Sequence, residues 1–442
     1  MSMETVGAKI PSGRWWHILP PTIIIYIIAY MDRMNISFAM AGGMNESLGL
    51  SMTMSGFSAG IFFFGYMVLQ IPGGHWAEHG SAKRFIMYTI IGWGVISGLT
   101  GFVQNGWQLL TMRFLLGVAE GGLYPAILIL IANWFPTKEI GRANAIWLMS
   151  MPLSAVVTGP VSGWIIQTYN WRSLFYLEGV ISLALLFIWM PLISDNPSEA
   201  KWISKEEREF LVTTLAREKV ERQAVFDKAG TGKVSYKKLF ADKHLWMMTL
   251  IYVCYTTGQN GYTIWLPTIL KNLTKMSLTN VGWLSALPFI MALGGLYMFG
   301  ALSDKSGNRR LNTAVSIGGF AVFFTFATLF PGQIWFSFFL LVITGVFTKA
   351  LQSPFWAMPA LLFTAGRSGA ARGFINGFGN LGGFIGPPLT GWLASTTGDM
   401  KYGIYGLACI LLLGSAVTMM LPKVTAGFAK VDAEAQKPTV KA

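Results

Sequence analysis

Long apolar runs separated by short polar links extend along almost the whole chain. A helix needs about 20 mostly apolar residues to cross the hydrocarbon layer of a bilayer. By that measure the pattern predicts an all-α membrane protein with twelve membrane-spanning helices. The predicted spans are 15–40, 53–76, 84–104, 107–134, 142–168, 174–194, 244–270, 280–303, 311–330, 334–362, 370–396 and 402–421.

Composition favours a membrane protein over a soluble one. The chain of 442 residues is 53% hydrophobic and only 12% charged, whereas a soluble domain carries about 25% charged residues. The net charge of +13 does not indicate nucleic-acid binding, because the basic residues lie in short links between apolar runs. Cys254 and Cys409 lie in apolar runs and are interpreted as small hydrophobic residues. The N-terminal residues lack a signal-peptide pattern.

One long polar stretch, residues 194–243, separates the sixth and seventh predicted spans, and its charged run predicts a surface helix at 204–222. With twelve spans, both termini lie on the same side as this linker. Outside the spans, the opposite side carries only four basic residues: Arg172, Lys271, Lys275 and Lys401. The positive-inside rule therefore predicts that the termini and the linker are cytoplasmic.

The two halves of the chain repeat one loop. GGHWAEHGSAKR at 73–84 follows the second span, and GALSDKSGNRR at 300–310 follows the eighth. Two six-helix halves in parallel repeat, related by a pseudo-two-fold axis, are typical of one large class of transporters. The sequence thus predicts an N-terminal half, a linker, a C-terminal half and a cytoplasmic tail, at 1–195, 196–243, 244–422 and 423–442.

The spans and repeated loops resemble the major facilitator superfamily along nearly the whole chain. Four segments are similar to the anion:cation symporter family: YMDRMNISFA (30–39), RFLLGVAEGGLYPAI (113–127), SPFWAMP (353–359) and INGFGNLGGFIGPPLTGW (375–392). The linker segment at 195–211 resembles that family too. The resemblance implies an organic-carboxylate importer that uses protons and alternating access in the bacterial inner membrane. It implies a monomer in the lipid bilayer, with no cofactor, and leaves Na⁺ open as the coupling ion.

The repeated loops carry the residues that the resemblance implies as a conformational latch between the cytoplasmic ends of the halves. Glu78 stands where the superfamily usually has Asp, and His79 stands where it usually has a basic Arg. The predicted latch residues are Gly74, Glu78, Lys83, Arg84, Asp304 and Arg309.

Two adjacent charges, Asp32 and Arg33, lie in the middle of the first span. Charged side chains inside the apolar layer are costly and are functional candidates by default, although mutual pairing between helices is the structural alternative. An arginine stays charged and presents a planar fork of donors that matches a carboxylate. We therefore expect Arg33 to bind the substrate carboxylate, in agreement with the resemblance, and Asp32 to be a candidate proton site.

The fourth span carries a second acid and base, Glu120 and Arg113. Burial favours the protonated form of a carboxyl group, so Glu120 is expected to exchange the coupling proton. Arg113 lies two turns earlier on nearly the same face, and the resemblance implies that it modulates Glu120; a static bridge would have to span about 10.5 Å. Glu178 and Arg372 lie near span ends, where they are expected to reach water.

The resemblance to galactonate-type members also implies a substrate pocket with Tyr30, Tyr66, Trp356 and Asn376. Aromatic walls with a few polar groups suit a small anion, while core or interfacial packing is the alternative for Trp356. Those members carry a glutamine in the fifth span where this chain has Leu153. A substrate rich in hydroxyl groups would lose one hydrogen-bond partner there.

Lys349, two turns before Trp356, places a second cation in the opposite half of the chain. One cation suits a monocarboxylate and two suit a dicarboxylate, and some glucarate-type members have a lysine at this spacing. Lys349 is therefore a candidate substrate-binding residue. The alternatives are that Lys349 is neutral, or that it pairs with Glu120 or Asp32.

Other functional classes fit the sequence less well. The four histidines lie at membrane ends without metal-ligand spacing, so neither a metal site nor a catalytic centre is expected and the chain is not predicted to be an enzyme. A channel would not need buried acids in a repeat. A proton-coupled exporter of drugs or metabolites with the same fold is the main alternative, although Arg33 and Lys349 favour an anion.

Overall fold

The computed structural model describes residues 12–228, 239–330, 332–363 and 365–423, and within these ranges it contains helices and no strands. The predicted tail, from residue 424 onward, and residues 229–238 of the predicted linker lie outside the described residues. The all-α organisation predicted from the apolar pattern is therefore confirmed for the part of the chain that the structure describes.

Each of the twelve predicted spans contains a helix. Within the described residues, eight of these helices are long and apolar enough, by length and composition, to cross a membrane. The first six are α1 (Gly13–Ser47), α2 (Met52–His79), α3 (Ala82–Thr100), α4 (Gly106–Trp134), α5 (Thr137–Thr168) and α6 (Trp171–Leu192). The last six are α7 (Lys243–Thr274), α8 (Leu278–Ser306), α9 (Arg309–Phe326), α10 (Ile334–Leu362), α11 (Ala365–Gly379 and Leu381–Thr397) and α12 (Met400–Met420).

Residues in the short polar links cap the helices that follow them. The side chains of Ser51, Asn105, Asn170 and Ser277 each accept a hydrogen bond from a backbone N–H in the first turn of the helix that follows. Such a cap satisfies one of the backbone donors that the start of a helix leaves unpaired. The chain can therefore reverse direction at the membrane surface within very few residues.

Two separate hydrophobic cores lie in the two halves of the chain. The first runs from Ile18 to Leu211 and contains buried side chains of α1 to α6 and of the linker segment. The second runs from Leu239 to Leu421. A third, smaller cluster joins the halves, because it packs Ile36 and Ile166 together with Trp265. The division at residues 195 and 244 stays a prediction, which these cores support.

The halves pack tightly at one end of the molecule, where α5 meets α8 and α2 meets the second part of α11. A Cβ atom added at Gly159 would lie 2.4 Å from the carbonyl oxygen of Gly282, and one at Gly56 would lie 2.3 Å from that of Pro387. Only glycine permits backbones to approach so closely. Lys271 adds a hydrogen bond from its Nζ to the carbonyl of Ala41, at 2.6 Å. We call this the closed end.

The halves separate toward the opposite end. In the first part of α11, a Cβ added at Gly369, Gly373 or Gly377 would meet nothing within 4 Å. This contrasts with the close contacts that the second part of the same helix makes with α2. We call this the open end; it holds the repeated loops at 73–84 and 300–310.

The linker helix, Lys205–Lys228, is anchored on the N-terminal half and is longer than predicted. Arg14 at the start of α1 donates to Glu207 at 2.6 Å and to Glu139 at 2.9 Å. Glu207 is 1% exposed and Leu211 is fully buried. The first turns bury one face in the core of the N-terminal half and leave the other face exposed, so this surface helix is amphipathic.

Candidate functional site

A buried ion pair joins α1 to α4 at the predicted substrate position. Nη2 of Arg33 lies 3.0 Å from Oε2 of Glu120. The Arg33 side chain keeps 15% of its surface exposed, whereas Glu120 is fully buried behind it. An anion that arrives from outside the pair therefore meets the guanidinium before it meets the acid.

Aromatic rings surround the Arg33 guanidinium. Its Cζ atom lies 5.4 Å from the ring centroid of Tyr30, 5.1 Å from that of Phe62 and 4.7 Å from that of Tyr66. Rings at these distances attract a cation through their quadrupoles. Tyr30 and Tyr66 were expected near Arg33, whereas Phe62 was not, since one more phenylalanine in an apolar run carries no distinguishing signal.

Arg113 binds the backbone of α1, not the carboxyl group of Glu120. It donates to the carbonyl oxygens of Asp32 at 3.5 Å and Arg33 at 3.3 Å. The Arg113 guanidinium also lies 5.1 Å from the Phe62 ring. The two-turn gap to Glu120 is about 10.5 Å along the helix, and Arg33 from the neighbouring helix reaches the acid instead. The expected influence of Arg113 on Glu120 stays a prediction.

Asp32 points away from Arg33 into a second polar cluster, between α1, α3 and α6. Its Oδ1 accepts from Ser97 Oγ at 2.6 Å and from Asn35 Nδ2 at 2.9 Å. Nδ2 of Asn35 also donates to Glu178. The expectation that Glu178 reaches water is wrong, because Glu178 is only 3% exposed. It lies two turns inside α6, where Gly179 allows α6 to pack directly on α3.

In the C-terminal half, Lys349 takes part in a hydrogen-bond network whose other side chains are uncharged. Its Nζ donates to Oε1 of Gln259 at 3.0 Å, and that oxygen also accepts from the hydroxyl of Tyr255 at 2.8 Å. Gln352 donates to Tyr255 at 3.4 Å and accepts from Nε1 of Trp356 at 3.0 Å. The alternative pairing of Lys349 with Glu120 or Asp32 is not formed in this structure.

The other residues that the sequence indicated differ in their contacts and burial. Tyr252 packs edge-on against Trp356, whose ring centroid lies 5.0 Å away. Asn376 is partly exposed on α11, one turn before Asn380, whose amide donates to Gln70 of the other half at 3.5 Å. Leu153 is 49% exposed, and Arg372 is exposed, as predicted.

The two polar centres approach each other across the interface between the halves. Tyr30 stacks beside Arg33, and Tyr255 is hydrogen-bonded within the Lys349 network. α1, which carries Tyr30 and Arg33, packs directly against α7, which carries Tyr255. The two polar centres therefore lie along one pair of contacting helices, one from each half.

Sequence reasoning missed Gln259, Tyr255 and Gln352 in the C-terminal half, and Asn35 and Ser97 beside Asp32. A search for amides inside apolar spans would have found Gln259 and Asn35, since an unpaired amide is costly in an apolar layer. Among the described residues, no group of three His, Cys, Asp or Glu side chains could hold a metal ion.

The predicted latch residues do not join the halves in this structure. Asp304 pairs with Arg309 of its own loop at 3.6 Å. In the first loop, the side chain of Lys83 donates to the carbonyl of Met190, and its backbone N–H donates to Asp195. The described contacts of Gly74 likewise stay within the N-terminal half. These loops lie at the open end, and the latch role of all six residues stays a prediction.

Comparison with known proteins places this geometry in context. The description "Major Facilitator Superfamily" matches residues 22–277 and 252–441, one match for each half. The chain is 34% identical over 414 residues to a "Putative tartrate transporter" of Agrobacterium vitis, covering 92% of this chain and 93% of that protein. It is 28% identical to a "Quinolone resistance transporter" of Acinetobacter baumannii, covering 91% and 93%.

A further relative is the "Probable galactarate/D-glucarate transporter GudP" of Escherichia coli, 25% identical, with 91% of this chain and 93% of that protein covered. Among solved structures, the fold matches a bacterial homologue of the human lysosomal transporter Spinster with a TM-score of 0.75 at 16% identity, covering 93% and 97% of the two chains. Fold, repeat and relatives agree. The chain therefore belongs to the major facilitator superfamily, as a twelve-helix transporter of the anion:cation symporter type and not an enzyme.

Proposed function

We propose that this protein imports an organic dicarboxylate together with protons. The observation that carries the proposal is the Arg33–Glu120 ion pair, with Arg33 partly exposed and Glu120 fully buried behind it. The Arg33 guanidinium can bind a substrate anion only if Glu120 releases it. The geometry therefore links anion binding to the protonation of Glu120.

The coupling step is an exchange of partners on Arg33. A substrate carboxylate binds the guanidinium of Arg33, while Glu120 accepts one proton and moves away from Arg33 as a neutral acid. The number of charges around Arg33 is the same before and after, so no uncompensated charge enters the apolar layer. Release reverses the exchange, because Glu120 loses its proton and returns to Arg33.

Lys349 and its network are proposed to bind the second carboxylate. Lys349 has a neutral amide as its hydrogen-bond partner, not an acid, so an incoming carboxylate need not displace an anion there. Two cations from the two halves fit a molecule with acid groups at both ends. The names of the relatives agree, since tartrate, galactarate and glucarate are hydroxylated dicarboxylates.

We infer that transport proceeds by rocking of the two halves around this site. The halves pack at the closed end and separate at the open end, which holds the linker and the repeated loops. The positive-inside distribution assigns the open end to the cytoplasm. The protein would thus face inward here, as a multi-pass protein of the bacterial inner membrane with cytoplasmic termini. We expect it to act as a monomer.

Uptake into proteoliposomes tests the proposal. Labelled tartrate should accumulate when the outside is made acidic, and it should not respond to a Na⁺ gradient at equal pH. A thermal-shift screen of the purified protein against mono- and dicarboxylates should show the largest stabilisation with dicarboxylates, since a ligand of the folded state stabilises it. Accumulation driven by Na⁺ alone, or stabilisation by monocarboxylates only, would contradict the proposal.

Export of drugs or metabolites is the second candidate, and the quinolone-resistance relative favours it. The direction and charge of the substrate separate the two functions. An exporter should lower the accumulation of a fluoroquinolone in cells and leave dicarboxylate uptake unchanged. The importer should do the reverse.

A further inference from the structure

We propose that Asp32 and Glu178 hold one proton between them, in a site separate from the Arg33–Glu120 pair. The site lies between α1, α3 and α6, on the side of α1 that faces away from Arg33. It goes beyond the proposed function, because it requires neither a substrate nor transport.

The first argument is geometric. A single donor nitrogen, Nδ2 of Asn35, donates to both carboxyl groups, so one oxygen atom of each lies within hydrogen-bonding distance of the same atom. Asp32 and Asn35 are fully buried and Glu178 is 3% exposed. Two carboxyl groups this close, without solvent, cannot both carry a charge.

The second argument is the number of buried charges. Arg33 and Glu120 neutralise each other. Among the residues that the structure describes, the remaining cation near the cluster is Arg113, which is 1% exposed and donates to the carbonyl oxygen of Asp32. One arginine facing two carboxylates leaves an excess negative charge, which is costly in the apolar layer. One proton shared by Asp32 and Glu178 removes that excess.

The third argument is an unfilled hydrogen-bonding position. Oδ2 of Asp32, Oε1 of Glu178 and Oδ1 of the fully buried Asn35 have no hydrogen-bond partner among the described residues. A carboxylate can only accept hydrogen bonds, whereas a protonated carboxyl group also donates one. A proton on the pair therefore supplies a donor to a group of orphaned acceptors.

Infrared spectroscopy of the purified protein without substrate tests the proposal. A buried protonated carboxyl group has a C=O band that is distinct from the carboxylate bands and shifts in D₂O. The wild-type protein should show this band at neutral pH. Because the wild-type measurement needs no variant, absence of the band there would overturn the proposal by itself.

Isosteric variants assign the band. Glu178→Gln and Asp32→Asn should each abolish it, since the remaining carboxylate is neutralised by Arg113 and no longer needs a proton. Glu221→Gln, at a side chain that is 66% exposed in the linker helix, is the control and should leave the band unchanged. A band that persists in Glu178→Gln and disappears in Glu120→Gln would place the proton on Glu120 and overturn the proposal.

A sodium ion is the rival occupant, because the same oxygens could ligate one. Replacing NaCl by KCl should leave the band and the melting temperature unchanged. A band that appears only when Na⁺ is removed would show a cation site and overturn the proton assignment. Failure of this test and failure of tartrate uptake are distinguishable, because the spectra are recorded without substrate or membrane gradient.

Discussion

The cations of the two halves have opposite kinds of partner. Arg33 faces a buried acid, Glu120, whereas Lys349 faces an amide, Gln259. An acid must be neutralised before it releases its cation, but an amide carries no charge and releases its cation more readily. The comparison agrees with the proposal that proton coupling belongs to the N-terminal half, and that the C-terminal half would add affinity for a second negative charge.

The surroundings of Arg33 and Lys349 also differ, because the first are aromatic and the second are hydrogen-bonding. Arg33 lies among three aromatic rings, which favour a cation without neutralising it. Lys349 belongs to a chain of hydrogen bonds that ends at Trp356. The arginine site is therefore suited to hold a carboxylate by a planar fork, and the lysine site to adjust to the length of the substrate.

The largest effect is expected from Arg33→Lys. An ammonium group cannot reproduce two parallel hydrogen bonds to a carboxylate, and each charge-assisted bond contributes about 1.5–3 kcal/mol. Dicarboxylate binding should therefore weaken roughly a hundredfold or more, as measured by calorimetry. Arg217→Lys, at a residue whose side chain is 72% exposed in the linker helix, is the control. Affinity close to wild type in Arg33→Lys would refute the proposed role of Arg33.

Glu120→Gln should separate coupling from transport. The amide imitates a permanently protonated acid, so Arg33 stays available and labelled substrate should still exchange with unlabelled substrate. Accumulation driven by a pH gradient should be lost, because no proton leaves with each turnover. Glu221→Gln, in the linker helix, should leave both activities intact. If pH-driven accumulation survives in Glu120→Gln, the coupling acid lies elsewhere.

Lys349→Met removes the second cation and keeps most of the side-chain volume. Loss of one charge-assisted hydrogen bond should weaken binding of a dianion about ten- to a hundredfold. The monoamide of the same acid should bind almost as it does to the wild type, and Lys401→Met serves as the control. Equal weakening for both ligands, or for neither, would show that Lys349 does not bind the second carboxylate.

Gln259→Glu would give Lys349 an acidic partner and so make the C-terminal half resemble the N-terminal half. At high pH the new acid is ionised and occupies Lys349, whereas at low pH it is protonated and releases it. Dianion affinity should therefore fall more steeply with rising pH than in the wild type. Gln259→Asn keeps a neutral amide and should follow the wild-type profile. Identical profiles for Gln259→Glu and the wild type would show that Gln259 does not control Lys349.

The smallest effect is expected at Tyr66. Its ring lies 4.7 Å from the Arg33 guanidinium, and such a contact contributes about 1 kcal/mol. Tyr66→Leu should weaken binding roughly fivefold, since the cation loses one of its three rings. Tyr66→Phe keeps the ring and should bind like the wild type. A loss in Tyr66→Phe as large as in Tyr66→Leu would assign the effect to the hydroxyl group.

The apolar pattern alone was sufficient for the helices, because the hydrocarbon layer imposes one length and one composition on every span. The two similar loops at 73–84 and 300–310 indicated the repeat. The apolar pattern also identified Asp32, Arg33, Glu120 and Lys349, since a charge in an apolar run stands out in the sequence. Motif resemblance added Tyr30 and Tyr66, whose rings lie beside Arg33.

Partnership between these residues was decided only by the tertiary structure. Spacing along α4 predicted that Arg113 lies on nearly the same face as Glu120, but the acid forms its ion pair with Arg33 of another helix. The position of Glu178 near the end of its predicted span predicted contact with water, but helix packing buries this side chain beside Asp32. The position of a charge within the membrane follows from its own span, whereas its partner depends on how neighbouring helices are rotated and how closely their glycines let them pack, and no single span contains that information.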